Sequence, residues 1–199
     1  ITIPNKVTSI CNSTFYQCTN LTSVTIPDSV TSMGYSVFDS CSSLEYVHIP
    51  ASVTEIGSNI LYNTTAYICS DTKNCYAKTY ASEYSYTFKM CGETDAPDES
   101  YTPEGDAIAS GDCGDNVDWA LYEDGTLLIN GTGAMKNYGT EYSVPWYQQR
   151  EEIVKIVVED GVTSVSDLAF YGCNKATSVS LPDTLTSIGI QAFRQCVSL

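Results

Sequence analysis

Leu21-Thr-Ser-Val-Thr-Ile-Pro-Asp-Ser-Val-Thr-Ser-Met-Gly-Tyr-Ser-Val-Phe-Asp-Ser-Cys41 decides the fold, because 23 residues later it recurs as Leu44-Glu-Tyr-Val-His-Ile-Pro-Ala-Ser-Val-Thr-Glu-Ile-Gly57. Pro4, Pro27 and Pro50 share one phase of this period, as do Cys18 and Cys41. Apolar residues hold other phases: Val24 with Val47, Ile26 with Ile49, Val30 with Val53, Met33 with Ile56, Phe15 with Phe38. A fixed period of this length marks a solenoid, whose units bury their apolar faces only against their neighbours.

The unit has a readable plan. Val24-Thr25-Ile26 alternates apolar, polar, apolar, which predicts a short strand with one buried face. Pro27 lacks an N–H and ends the ladder. Val30 and Met33 are expected to point back inward. Tyr35 to Cys41 is expected to form a short helical or turn segment that inserts Val37, Phe38 and Cys41 under the strand. Gly34, Gly57 and Gly189 share a phase, which suggests a turn of positive φ. Cys11 and Ser166 in that phase show that the requirement is not strict.

The pattern returns late in the chain. Ile153, Ile156, Val158, Val162, Val165, Phe170 and Cys173 are followed by Val179, Leu181, Pro182, Leu185, Ile188, Phe193 and Cys196. Glu159 stands where Pro27 stands, and 159 − 27 = 132 is not a multiple of 23, so two separate blocks, out of register, are expected. The first covers 1–91, with a C-terminal cap over about 61–91. There the repeat fails after Leu61, and Asp71 to Tyr84 reads as a helix capped by Asp71 or Asn74. Ala77, Tyr80, Ala81 and Tyr84 line one face of it, and Tyr86 to Phe88 reads as a strand. Residues 92–109, with six acids, two prolines and no Lys or Arg, are assigned to a solvated linker.

The second block, 110–199, opens with a hairpin cap: Val117 to Leu121, a turn at Glu123-Asp124-Gly125, and a return over Thr126 to Asn130. Asn130 to Gly133 reads as a loop, and Pro145-Trp146-Tyr147 is expected to pack over the next repeat. Ile1 and Leu199 fall inside repeats, so the chain reads as a cut-out piece with open array ends, marginal in stability or self-associating.

Leu-Thr-Ser-Val-Thr-Ile-Pro-Asp-Ser-Val-Thr-Ser with a following Phe and Cys resembles the BspA-like class of bacterial leucine-rich repeats. Gly111 to Trp119, Gly131 to Met135 and Pro145-Trp146 are similar to a module that often opens such arrays. The resemblance implies an α/β leucine-rich-repeat solenoid of short strands and short helical turns, in a secreted or surface-attached bacterial protein. Some members of the class bind host or microbial surface components.

Charge narrows the partners. The net charge of −15, from 24 acids against 9 Lys and Arg, argues against nucleic acid and against anionic membrane surfaces. No apolar run approaches the roughly 18 residues of a spanning helix.

Catalysis is not expected. His48 is the only histidine, and its phase puts it outward on a strand without an evident nucleophile. Cys18, Cys41, Cys173 and Cys196 share a repeat phase and read as a ladder of buried thiols. Cys69, Cys75 and Cys91 are candidates for a disulfide in the cap. The cysteines lack zinc spacing, and Asp112, Asp115 and Asp118 lack the frame of a calcium loop, so no metal and no cofactor are expected.

The outward strand slots are the best candidate surface. They hold Thr2, Ser23, Thr25, Tyr46 and His48 in the first array, and Lys155, Val157, Ser178 and Ser180 in the second. Ser23, Thr25, Tyr46 and His48 are taken as the candidate ligand-binding set, with Tyr46 and His48 its aromatic patch. The expected function is extracellular binding or adhesion to a host or microbial protein or glycan. A structural spacer and a non-catalytic appendage of a larger surface enzyme are the alternatives.

Overall fold

The computed structural model describes residues 1–71, 75–90, 103 and 105–199. In chain order the elements of the first array are β1 (Ser9–Ile10), β2 (Ser23–Thr25), β3 (Ser32–Met33), β4 (Tyr46–His48), β5 (Glu55–Ile56), β6 (Tyr67–Ser70), helix α1 (Tyr76–Glu83) and β7 (Phe88–Met90). The second part contains β8 (Ala107–Asp112), β9 (Val117–Tyr122), β10 (Thr126–Gly131), β11 (Gly133–Ala134), β12 (Lys155–Val158), β13 (Val162–Val165), β14 (Ser178–Ser180) and β15 (Ser187–Ile188).

Each turn of the solenoid carries two short strands. The first, such as β2, pairs in parallel with its equivalent one turn on: Ser23 with Tyr46, Val24 with Val47, Thr25 with His48. The second, such as β3, follows the proline corner and builds another parallel sheet, with Met33 opposite Ile56. Met33 points inward as expected and is buried, but it does so from a strand rather than a loop.

In the repeats of the first array, residues 11–18 and 35–41, the third side is made of turns rather than helix. Ser36 and Ser40 have φ of 51° and 61°, and their equivalents Ser13, Gln17, Asn59 and Asn63 match them. Along this side every second N–H is aimed at the next turn: Ser36 donates to Ser58 O, Phe38 to Ile60 O, and Ser40 to Tyr62 O, at 2.8–3.0 Å. This side is therefore a backbone ladder too, which pairs these backbone groups between turns.

Positive φ falls on these polar residues and not on Gly34, Gly57 or Gly189, which corrects the sequence expectation. Those glycines answer to space. A Cβ on Gly57 would lie 2.6 Å from the Gly34 carbonyl carbon, and one on Gly34 would lie 2.6 Å from Asn12 N. Successive turns approach too closely there for a side chain.

The core is a set of ladders. Trp146, Phe170, Phe193, Phe15 and Phe38 stack in that order, with ring centroids 5.1–5.9 Å apart. Each such pair adds about 0.5–1.5 kcal/mol beyond burial. Beside them run Cys173, Cys196, Cys18 and Cys41, all fully buried. The Cys196 thiol donates to Phe170 O, Cys18 to Phe193 O and Cys41 to Phe15 O, at 3.0–3.2 Å. Burial pushes the Cys41 and Cys173 thiols up to about 12.

Where two separate, out-of-register blocks were expected, the two arrays stack on each other at a seam between β15 and β1. The second sheet runs β11-β13-β15-β1-β3-β5, so the late array is continued by the early one. Ile188 pairs with Ile10, Phe193 N donates to Thr14 O, and Gln195 N donates to Tyr16 O. Phe15 and Phe193 stack at 5.7 Å, and the Arg194 guanidinium lies 4.6 Å from the Tyr16 ring. Distance along the sequence misleads because it includes the caps and the segment between the arrays, whereas stacking depends only on matching turns. Ile3 and Leu199 are buried beside this seam between the late and early arrays.

The caps sit at the two tips. At one, β8, β9 and β10 form antiparallel pairs, and β10 starts the parallel sheet against β12. Residues 107–109, assigned from sequence to the linker, belong to β8. Residues 130–131 complete β10, and residues 133–134 pair with β13, where a loop was expected. Trp146 packs on Phe170 as expected, and its Nε1 donates to Ala169 O at 2.8 Å.

At the other tip β6 and β7 continue the first sheet while α1 replaces the turn side. The helix starts at Tyr76 with Cys75 at its N-cap, later than expected, and Asp71 does not cap it. Asn74 lies outside the described residues. The strand expected over 86–88 is found over 88–90.

Candidate binding face

The first sheet turns one face to the core and the other outward. Val24, Val47 and Ile68 alternate inward on β2, β4 and β6 and are buried. Their neighbours Ser23, Thr25, Tyr46 and His48 therefore share the outer face, as the alternation predicted. Thr2 extends this face through a parallel bridge to Thr25, and Ser178 and Ser180 are exposed farther along it. Val157, expected to be an outward slot of the same kind, is only 6% exposed opposite Leu128, so the open face does not continue over β12.

The face is uneven. Over β14, the Thr2 turn and β2 it presents short hydroxyl side chains. At β4 and β6 a wall rises. Tyr46 pairs with Tyr67, their rings stacked at 5.8 Å, and the Lys89 ammonium lies 3.8 Å from the Tyr67 centroid. His48 Nε2 is 2.9 Å from Asp71 Oδ2, with Asp71 itself well exposed. His48 Nδ1 is buried without a hydrogen-bond partner. The wall thus offers two phenolic hydroxyls, an ammonium and a carboxylate-held imidazole beside a low floor of Ser and Thr.

Sequence reasoning reached Tyr46 and His48 but missed Tyr67, Asp71 and Lys89. Asp71 was discoverable, since it follows His48 by one period of 23 residues. Tyr67 was not, because it pairs with Tyr46 at a spacing of 21 residues rather than 23. The connection before β6 is two residues shorter than in the repeats, so the strand partners of β4 on β6 lie 21 residues on.

The cap cysteines separate. Cys69 is disulfide-bonded, Cys75 is a buried free thiol, and Cys91 lies outside the described residues. Among the described residues no group of His, Cys, Asp and Glu has the arrangement of a metal site. No helix among them is long and apolar enough to cross a membrane.

The pattern that builds this face is a known one: the BspA type leucine rich repeat region matches residues 1–94 and 145–199 in 6 copies. The chain belongs to the BspA-type leucine-rich-repeat family. Residues 95–144, which include the hairpin cap, lie outside that match. Among solved structures, a leucine-rich repeat protein from Eubacterium ventriosum is 36% identical over 46% of this chain and 24% of its own, with a TM-score of 0.44. A leucine rich cell surface protein from Faecalibacterium prausnitzii is 21% identical over 97% of this chain and 50% of its own, with a TM-score of 0.28. A leucine-rich repeat protein from Bacteroides ovatus is 17% identical over 100% of this chain and 58% of its own, with a TM-score of 0.25. This BspA-type chain therefore spans between 24% and 58% of the length of these proteins. No match was found among the curated proteins.

Proposed function

We propose that the chain is an extracellular, non-catalytic binding module that holds a protein or glycan ligand on the outer face of its first sheet. The observation that carries this reading is the wall of Tyr46, Tyr67, His48, Asp71 and Lys89 beside a floor of short hydroxyl residues. Aromatic rings supply large, stiff contact area, and the polar groups at their edges supply direction. A binding role is favoured over a catalytic one because Asp71 holds His48, while no hydroxyl or thiol among the described residues hydrogen-bonds to its other ring nitrogen. An extracellular setting is supported by the disulfide at Cys69, since such bonds persist in oxidising compartments.

Biolayer interferometry against host matrix proteins, mucins and bacterial surface glycans tests the proposal. Saturable binding is expected to fall at least tenfold in a Tyr46→Ala, His48→Ala variant that keeps the parent circular dichroism. Binding unchanged by that variant would move the ligand off this face. No binding across the panel would favour a structural spacer.

A further inference from the structure

We propose that the occupant of this face is a neutral glycan, one of whose pyranose rings stacks on the free side of Tyr46; this rests on the binding role proposed above and narrows its ligand. Tyr46 stands between unlike neighbours. On β6 its partner is Tyr67, ring against ring, and Lys89 reaches Tyr67 from β7 on the far side. On β2 its partner is Ser23, which is too short to cover a ring. The pile of rings therefore ends at Tyr46, whose last face looks over β2. His48 repeats the arrangement two residues along β4, about 6.6 Å away, with Thr25 as its β2 partner. Thr25 is exposed, and Thr2, which bridges to it, is exposed as well. The result is a step. Two rings make its riser, and hydroxyl groups make its tread.

The chemistry of such a step selects among ligands. A phenol ring is negative over its face and attracts the weakly positive C–H bonds of a flat apolar surface. Hydroxyls on the tread lose water when the step is covered and need new partners. A pyranose meets both demands, because its C–H bonds gather on a face while its hydroxyls project around the rim. An apolar protein side chain against Tyr46 meets only the first and leaves Ser23, Thr25 and Thr2 unanswered. Charge decides the rest. The tread carries no charged side chain; of the wall's charges, the Asp71 carboxylate is held by His48 and the Lys89 ammonium lies against Tyr67. The net charge of −15 repels uronate and sulfate groups at long range, and a neutral glycan escapes that repulsion.

Biolayer interferometry of the full chain against immobilised neutral hexaoses of glucose, mannose, galactose and N-acetylglucosamine tests the class, with polygalacturonate and a chemically deglycosylated mucin as contrasts. At least one hexaose is expected to bind saturably, and polygalacturonate is not. Two variants that keep the parent circular dichroism place the sugar. Ser23→Tyr adds a ring to the pile and fills the step, so it is expected to weaken the hexaose by about tenfold or more. Tyr46→Phe keeps the stacking face and is expected to stay within about threefold of the parent. Proton NMR needs no variant: the C–H protons of one sugar face are expected to shift upfield over Tyr46. Hexaose binding that Ser23→Tyr leaves unchanged, or a bound hexaose without shifted protons, overturns the stacking. Binding confined to polygalacturonate or to the deglycosylated mucin overturns the neutral class. If that binding is lost in the Tyr46→Ala, His48→Ala variant, the face keeps its binding role and only the present inference falls. Silence of every hexaose overturns it too.

Discussion

At the residue scale, the buried positions were legible and the backbone requirements were not. Val24, Ile26, Phe15 and Cys18 were placed correctly because burial imposes a chemistry that repeats with the turn. Gly34 and Gly57 were misread because positive φ and close approach both select glycine, and a sequence does not tell them apart. The true left-handed positions are filled by Ser, Asn, Gln and Leu, so they carry no glycine signal apart from Gly172. The thiol ladder makes stability depend on pH. Up to about pH 9 the Cys41 and Cys173 thiols keep their protons in both folded and unfolded chains. Above it the unfolded chain ionises first, the folded state binds more protons, and stability falls until the folded value near 12 is reached. The loss is about 1.4 kcal/mol per pH unit for each thiol. Urea titrations at pH 8, 9, 10 and 11 are expected to show this fall, and Cys41→Ala should shallow its slope. An identical slope in that variant would remove Cys41 as a source.

Among elements, the solenoid strand was readable while its companions were hidden by shortness. β3 and β5 span only two residues each, too few for alternation to register, and they show themselves only through pairing across turns. The helix of the cap was legible from Ala77, Tyr80 and Ala81, all buried as expected. Its role depends on a bond no sequence pattern reveals. The Tyr80 hydroxyl donates to Gly57 O at 2.8 Å and accepts from Ile60 N at 3.4 Å, serving backbone groups of the last full turn. Burial raises its pKa, which keeps the hydroxyl protonated and able to donate. Tyr80→Phe keeps the ring and leaves both groups unsatisfied, so chemical denaturation is expected to show a loss of about 1–3 kcal/mol. A change below the precision of the measurement would mean that water replaces the hydroxyl.

For the whole molecule, the sequence delivered a solenoid but cut it in two. Its repeats were recognised from side chains that recur along the chain, whereas the seam joins residues that are far apart along it. The Phe and Cys ladders continue across the seam, so the two arrays are expected to unfold as one cooperative body. Two native probes can check this, since Trp119 and Trp146 lie in the second part and His48, the only histidine, in the first. Tryptophan fluorescence and the His48 ring proton signals are expected to give one unfolding midpoint, and Phe193→Ala should lower both together. Separate midpoints would return the arrays to independence.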